Sequence, residues 1–240
     1  MNYLKRYKYH CLAAAILIVL LMAGVKTKVA CLTDAPPVLP RIQTQGQLEH
    51  ALELFPRAQQ AQLLSLEAAA DQRPLVLEIV RKSLPAAFRG RAFEITRAVI
   101  VEANHHNMDP LFLLAVIQTE STFNPKARGR HGEIGLMQIL PKTAQWIAPQ
   151  AGLDAAKIDL EDPATNIRLG ATYFAQLRKS FANKGTRYVS AYNMGSTNVR
   201  RLLKANKEPY IYSGKVLQHY QNLYGKLEKA RSARSVASSK

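Results

Sequence analysis

Asp109-Pro110-Leu111-Phe112-Leu113-Leu114-Ala115-Val116-Ile117-Gln118-Thr119-Glu120 is the stretch from which the rest of the chain can be read. Aspartate followed by proline is a helix start. The Asp109 carboxylate can accept an unpaired backbone N–H of the first turn, and Pro110 fits the first helical position, where no N–H is needed. Leu111 to Ile117 is apolar at every position, so the pattern predicts a helix buried over most of its surface rather than along one stripe. Steps of three and four residues place Leu113, Val116, Ile117 and Glu120 along one side. A carboxyl group at the end of such a hydrocarbon run loses the hydration of its charged form, and its pKa rises. A carboxyl that keeps its proton near neutral pH can act as a general acid. Taken alone, Glu120 also fits a bland reading: a solvated helix-end glutamate, or the partner of Arg128 or Arg130.

The flanking residues shift that balance. Glu120-Ser121-Thr122-Phe123-Asn124-Pro125 is followed by Gly135-Leu136-Met137-Gln138 and then, at the end of another helical stretch, by Ala191-Tyr192-Asn193. Glycine lets backbone approach a ligand closely, and the amides of Gln138 and Asn193 offer donor and acceptor together. A tyrosine can pack its ring while its hydroxyl bonds outward. In this order and spacing the three motifs resemble the soluble lytic transglycosylase family, lysozyme-like enzymes that cut bacterial peptidoglycan. The resemblance covers roughly Ala92 to Tyr224.

The resemblance implies a mostly α fold: a goose-type, lysozyme-like helical domain, with room for a small β-hairpin between Arg128 and Ile134. It implies Glu120 as the catalytic carboxyl, with substrate contacts from Ser121, Met137, Gln138, Tyr192, Asn193 and Tyr212. Tyr212, in Glu208-Pro209-Tyr210-Ile211-Tyr212, matches the tyrosine that precedes the family's last helix. Met137 also reads as core filler, Gln138 as helix-start polarity, and Tyr212 as simple packing. Two departures stand out. Gly129 occupies a position where many relatives carry a serine near the acid, which leaves Ser121 as the nearest replacement contact. Met194-Gly195-Ser196-Thr197 replaces the usual Ala-Gly-Pro-Gly turn after Asn193.

The implied chemistry uses one carboxyl group twice. Glu120 protonates the leaving oxygen of a MurNAc–GlcNAc β-1,4 bond, then takes the proton from the C6 hydroxyl of the same muramic acid as it closes on C1. The product is a 1,6-anhydromuramoyl end, and the intramolecular nucleophile gains an effective molarity that water lacks. Glycosidases usually pair two carboxylates, and Glu133 is the obvious second candidate. Two alternatives stay open: a hydrolytic goose-type lysozyme with water as nucleophile, and a non-catalytic peptidoglycan-binding scaffold. The glycan strands of peptidoglycan are the expected partner in each case. No cofactor is expected. No metal is expected either: His105-His106 has no His-Glu-x-x-His pattern around it, and Cys11 and Cys31 offer no ligand spacing.

With 240 residues, 48% of them hydrophobic, the chain can bury one full domain plus appendages. Its net charge of +16 favours anionic partners such as peptidoglycan carboxylates or phospholipid surfaces. Nucleic acid is not expected, since no recognition-helix motif accompanies the charge. Lys5, Arg6 and Lys8 precede an apolar run from Cys11 to Val25, which reads as an export signal or signal anchor over residues 1–30. The expected location is therefore the bacterial cell envelope, periplasmic, free or anchored in the inner membrane, with an envelope or secretion machine as a further partner. Residues 31–46 read as a stiff linker around Ala35-Pro36-Pro37-Val38-Leu39-Pro40. Residues 47–90 carry helical periodicity punctuated by Pro56, Pro74 and Pro85 and read as a helical extension ahead of the transglycosylase domain at 91–225. Residues 226–240, with five basic side chains against Glu228, read as a disordered tail.

Overall fold

A computed structural model describes residues 38–55 and 71–238. The expected signal segment, most of the linker, and the part of the helical extension around Pro56 lie outside the described residues. In chain order the elements are α1 (Thr44–Leu54), α2 (Arg73–Ser83), a 3₁₀ segment (Ala86–Arg91), α3 (Ala92–His105), α4 (Pro110–Ser121), α5 (Pro141–Ile147), a 3₁₀ turn (Ala155–Lys157), α6 (Pro163–Ser180), α7 (Gly185–Met194), α8 (Ser196–Lys204) and α9 (Ile211–Ser238). The fold is mostly α, as the sequence predicts. The hairpin is reduced to two isolated antiparallel bridges, Arg128 with Ile134 and Ile134 with Ile139. Turns at Gly132 (φ 91°) and Gly135 (φ 83°) leave no run long enough to pair further.

The apolar stretch forms the axis of the domain. Every residue of α4 from Pro110 to Ile117 is buried, and Oδ1 of Asp109 accepts the Leu111 N–H at 2.8 Å. Asp162 repeats the device at the start of α6, accepting the Thr165 N–H at 2.9 Å. Because α4 is apolar all round, it must be surrounded, and the last helix supplies one wall. The hydroxyls of Tyr220 and Tyr224 donate to Oδ2 of Asp109 at one end of α4, while that of Tyr212 donates to Glu120 at the other. α4 has 12 residues, about 18 Å of helix, and the same rise separates Tyr212 from Tyr224. α9 therefore runs antiparallel along α4 and holds both of its ends.

The segment ahead of the transglycosylase-like stretch supplies another wall. Ala51, Leu54 and Phe55 from α1, and Val76, Ile79 and Val80 from α2, belong to the same core as α4. Residues from Leu39 onward make one compact unit. α1 also reaches the cap of α4: the Gln47 amide donates to Oδ1 of Asp109 at 3.3 Å, and Nδ1 of His50 accepts the Asp109 N–H at 3.3 Å. With Nδ1 accepting, the neutral His50 ring carries its proton on Nε2, 3.0 Å from the Tyr188 hydroxyl. Burial, with Arg178 adding to it, pushes the His50 pKa well below its usual value and keeps the ring neutral. Burial likewise lifts Asp109 to about 6, against the opposing pull of its Tyr220, Tyr224, Leu111 and Gln47 bonds.

At the other end of the chain the expected disordered tail is replaced by helix. α9 packs Leu223, Tyr224 and Leu227 into the core and continues to Ser238 through alanine, lysine and arginine residues that favour helix.

Candidate active site

α4 stops abruptly after Ser121. Thr122 (φ 51°) and Phe123 (φ 60°) both take left-handed backbone conformations, which non-glycine residues adopt at a cost and β-branched threonine rarely adopts at all. Phe123 is buried, which fixes the turn, and the Asn124 N–H donates to the Ser121 carbonyl at 3.0 Å. The reversal leaves Glu120 on the last turn, facing a cleft of about 520 Å³. Gln138, Tyr173, Tyr192, Asn193 and Glu133 line the same cleft.

Glu120 is partly buried, and the Tyr212 hydroxyl donates to its Oε1. Loss of hydration raises its pKa to about 7. The Tyr212 bond opposes that rise, and the negative charge of Glu133 adds to it. Burial holds the Tyr212 phenol well above its ordinary range, so it stays a donor. Arg128, a candidate partner of Glu120 by sequence, pairs with Glu161 instead.

The other sequence-assigned residues divide into two groups. Gln138, Tyr192 and Asn193 come into the cleft with Glu120, and Tyr212 comes onto the acid itself. The Gln138 amide donates to the carbonyls of Ala127 (3.1 Å) and Gly135 (2.9 Å), leaving its oxygen toward Gly129. The Tyr192 ring stacks on Phe174 at 3.9 Å, and its hydroxyl donates to the Met137 carbonyl at 2.8 Å, so it presents a ring rather than a free donor.

Ser121 and Met137 are corrections. The Ser121 hydroxyl is buried, 2.7 Å from the Leu136 carbonyl and 3.1 Å from that of Ile117, so it ties the end of α4 to the following loop instead of meeting substrate. The Met137 side chain is fully buried against Gly170, where an added Cβ would collide with its sulfur. Only the Met137 backbone serves the site.

Sequence reasoning passed over three features. Asn166 of α6 is fully buried: its Oδ1 accepts the Met137 N–H at 2.7 Å, and its Nδ2 donates to the carbonyls of Ile134 (2.8 Å) and Leu160 (2.9 Å). Gly135 packs so closely on it that a Cβ there would collide with the Asn166 amide. Tyr173, one residue before Phe174 on α6, adds a ring to the cleft wall. The third is the Gly129–Glu133 pair. A Cβ on Gly129 would collide with Oε2 of Glu133, so the Glu133 carboxylate fills the space where relatives are expected to carry a serine side chain. Its own backbone N–H and the His131 N–H (3.0 Å) hold Glu133 below the ordinary carboxylate range, so it remains charged. Among the described residues no group of three or more His, Cys, Asp or Glu side chains is placed to hold a metal ion.

A helical domain wrapped round one buried helix, with a proton-retaining carboxyl delivered from its end into an amide- and tyrosine-lined cleft, is the class that fold and site define. Residues 97–213 match the family model for the transglycosylase SLT domain. Membrane-bound lytic murein transglycosylase C of Haemophilus influenzae (strain PittGG) is 34% identical over 128 residues, covering 49% of this chain and 35% of that protein. The Shigella sonnei protein of the same name is 28% identical over 152 residues, covering 59% of this chain and 42% of its own length. The chain thus spans less than half the length of these curated relatives. Among solved structures, an inactive mutant of the lytic transglycosylase Slt from Pseudomonas aeruginosa superposes with a TM-score of 0.45 at 25% identity, covering 73% of this chain and 30% of that one.

Proposed function

We propose that this chain is a peptidoglycan lytic transglycosylase that cleaves the MurNAc–GlcNAc β-1,4 bond without water. The observation that carries the reading is Glu120, a carboxyl lifted to about 7 by burial at the wall of an open cleft. Protonated, Glu120 gives its proton to the glycosidic oxygen as the C1–O bond breaks. The resulting carboxylate then accepts the proton of the muramic acid C6 hydroxyl while that oxygen bonds to C1, closing the 1,6-anhydro ring. The Tyr212 hydroxyl bonds to Glu120 in both states and stabilises the carboxylate form between the two transfers. Gln138 and Asn193 supply amide groups for sugar hydroxyls and N-acetyl groups, against the ring of Tyr192. The SLT-domain match over residues 97–213 and the names of the relatives support the same reaction.

The chain is assigned to the cell envelope, where its substrate lies. The segment that would export or anchor it, residues 1–30, lies outside the described residues, and among those described no helix is long and apolar enough to cross a membrane. An envelope or secretion machine remains the proposed further partner.

Hydrolysis is the second reading. The observation in its favour is Glu133, a charged carboxylate on the same cleft. Digestion of purified sacculi followed by mass analysis of the fragments decides between them. Anhydromuramoyl ends are expected from the wild type and none from Glu120→Gln; reducing ends would install the hydrolytic mechanism, and full activity of Glu120→Gln would remove the acid.

A further inference from the structure

The chain has one tryptophan, Trp146, and it lies beside the cleft with 55% of its surface exposed. α5 is anchored through Ala144 and Ile147, which are buried. Thr143, one helical turn before Trp146, lines the cleft, as does Leu140 at the helix start. The indole meets the Tyr173 ring at 6.0 Å and 86°, and Tyr173 in turn meets Tyr192 at 5.3 Å and 40°. Aromatic rings therefore continue without a break from the wall beside Glu120 to the open surface of α5. The edge contact with Tyr173 fixes the indole in place while leaving more than half of it uncovered.

We propose that Trp146 forms an outlying glycan subsite, stacking on a hexosamine ring of the strand at a position beyond the bond that is cut. This rests on the reading of the cleft as a glycan site. A pyranose ring has apolar C–H faces and a polar rim. An indole has an apolar face and a single N–H donor, so the two match in shape and polarity. The occupant is a sugar because the indole is continuous with the cleft that holds the strand, and a β-1,4-linked strand leaving that cleft over Leu140 and Thr143 crosses α5 at Trp146. The subsite sets how long a strand must be to bind fully. It takes no part in proton transfer.

A single tryptophan makes the test direct. In the full chain carrying Glu120→Gln, indole emission is followed during titration with β-1,4-linked GlcNAc oligomers of increasing length and with glycan strands stripped of stem peptides. Emission is expected to shift to the blue only with the longer ligands. Trp146→Ala is expected to weaken the longest oligomer about tenfold, the loss of one aromatic contact, while leaving the shortest unchanged. Trp146→Phe restores most of that loss. In the active enzyme Trp146→Ala raises KM on long strands with kcat retained. Unmoved emission and length-independent affinity, in an enzyme that still cuts sacculi, would overturn the subsite alone. A shift seen only with strands that bear stem peptides would replace it with a peptide site. Failure of the wild type to cut sacculi would instead overturn the reading of the cleft, and the subsite with it.

Discussion

Glu120 works only while it holds a proton, so kcat/KM is expected to fall as pH rises through about 7. Its two neighbours pull that limb in opposite directions. Tyr212 bonds most strongly to the charged form, so Tyr212→Phe should raise the Glu120 pKa and move the limb to higher pH. Glu133 repels the charged form, so Glu133→Gln should move it to lower pH. Shifts of the same sign in the two pH–rate profiles would contradict this electrostatic account. The raised pKa also bears on stability. Folding takes Glu120 from an ordinary 4.5 to about 7, so its carboxyl costs nothing below 4.5, costs progressively more as pH rises to 7, and carries the full cost above that. Glu120→Gln is therefore expected to stabilise the protein by about 2–3 kcal/mol at pH 8 and hardly at all at pH 4, read by denaturant unfolding at both. Equal effects at the two pH values would mean that the acid is not desolvated.

The element that shapes the site is the loop from Thr122 to Gln138, which has almost no repeating structure of its own. It is held from outside. Asn166 pins three of its backbone or neighbouring groups from α6, and Ser121 fastens it to the end of α4. Asn166→Ala would leave the Met137 N–H and the carbonyls of Ile134 and Leu160 without that partner, at an expected cost of about 3 kcal/mol. Thermal melts together with kcat on glycan should both show the loss; an unchanged melting temperature would mean the loop supports itself. The motif Gly135-Leu136-Met137-Gln138 was readable, but its division of labour was not. Gly135 and the Met137 backbone are structural, and only Gln138 turns a side chain to the cleft. A left-handed threonine at position 122 has no sequence signature, because it persists only where surrounding packing overrides its own preference.

Across the assembled domain, α4 is enclosed by parts of the chain far apart in sequence. α1 and α2 lie before the matched family segment, and most of α9 lies after it, yet all three contribute to the one core and α1 and α9 both bond Asp109. A fragment limited to residues 97–213 is therefore expected to lack cooperative unfolding and activity. It leaves the Asp109 carboxyl and the flank of α4 uncovered, removing Ala51, Leu54 and Val76 on one side and Val216, Tyr220 and Leu227 on the other. Circular dichroism with a thermal melt checks this, and a sharp two-state transition in the fragment would show that the flanking helices are accessories.

The amino-acid order alone determined the buried helix, its Asp109 cap, the acid at its end, and the amide and tyrosine motifs that follow. These rest on local spacing and side-chain chemistry, which act between residues close in sequence or through patterns that survive without coordinates. Tertiary packing decided the rest: that Tyr212 donates to Glu120, that Ser121 and Met137 face inward, that Glu133 fills the space above Gly129, and that the N-terminal helices seal the core. Each of these depends on which distant surfaces meet, and hydrophobic burial, being non-directional, leaves that choice to the shape of the whole chain.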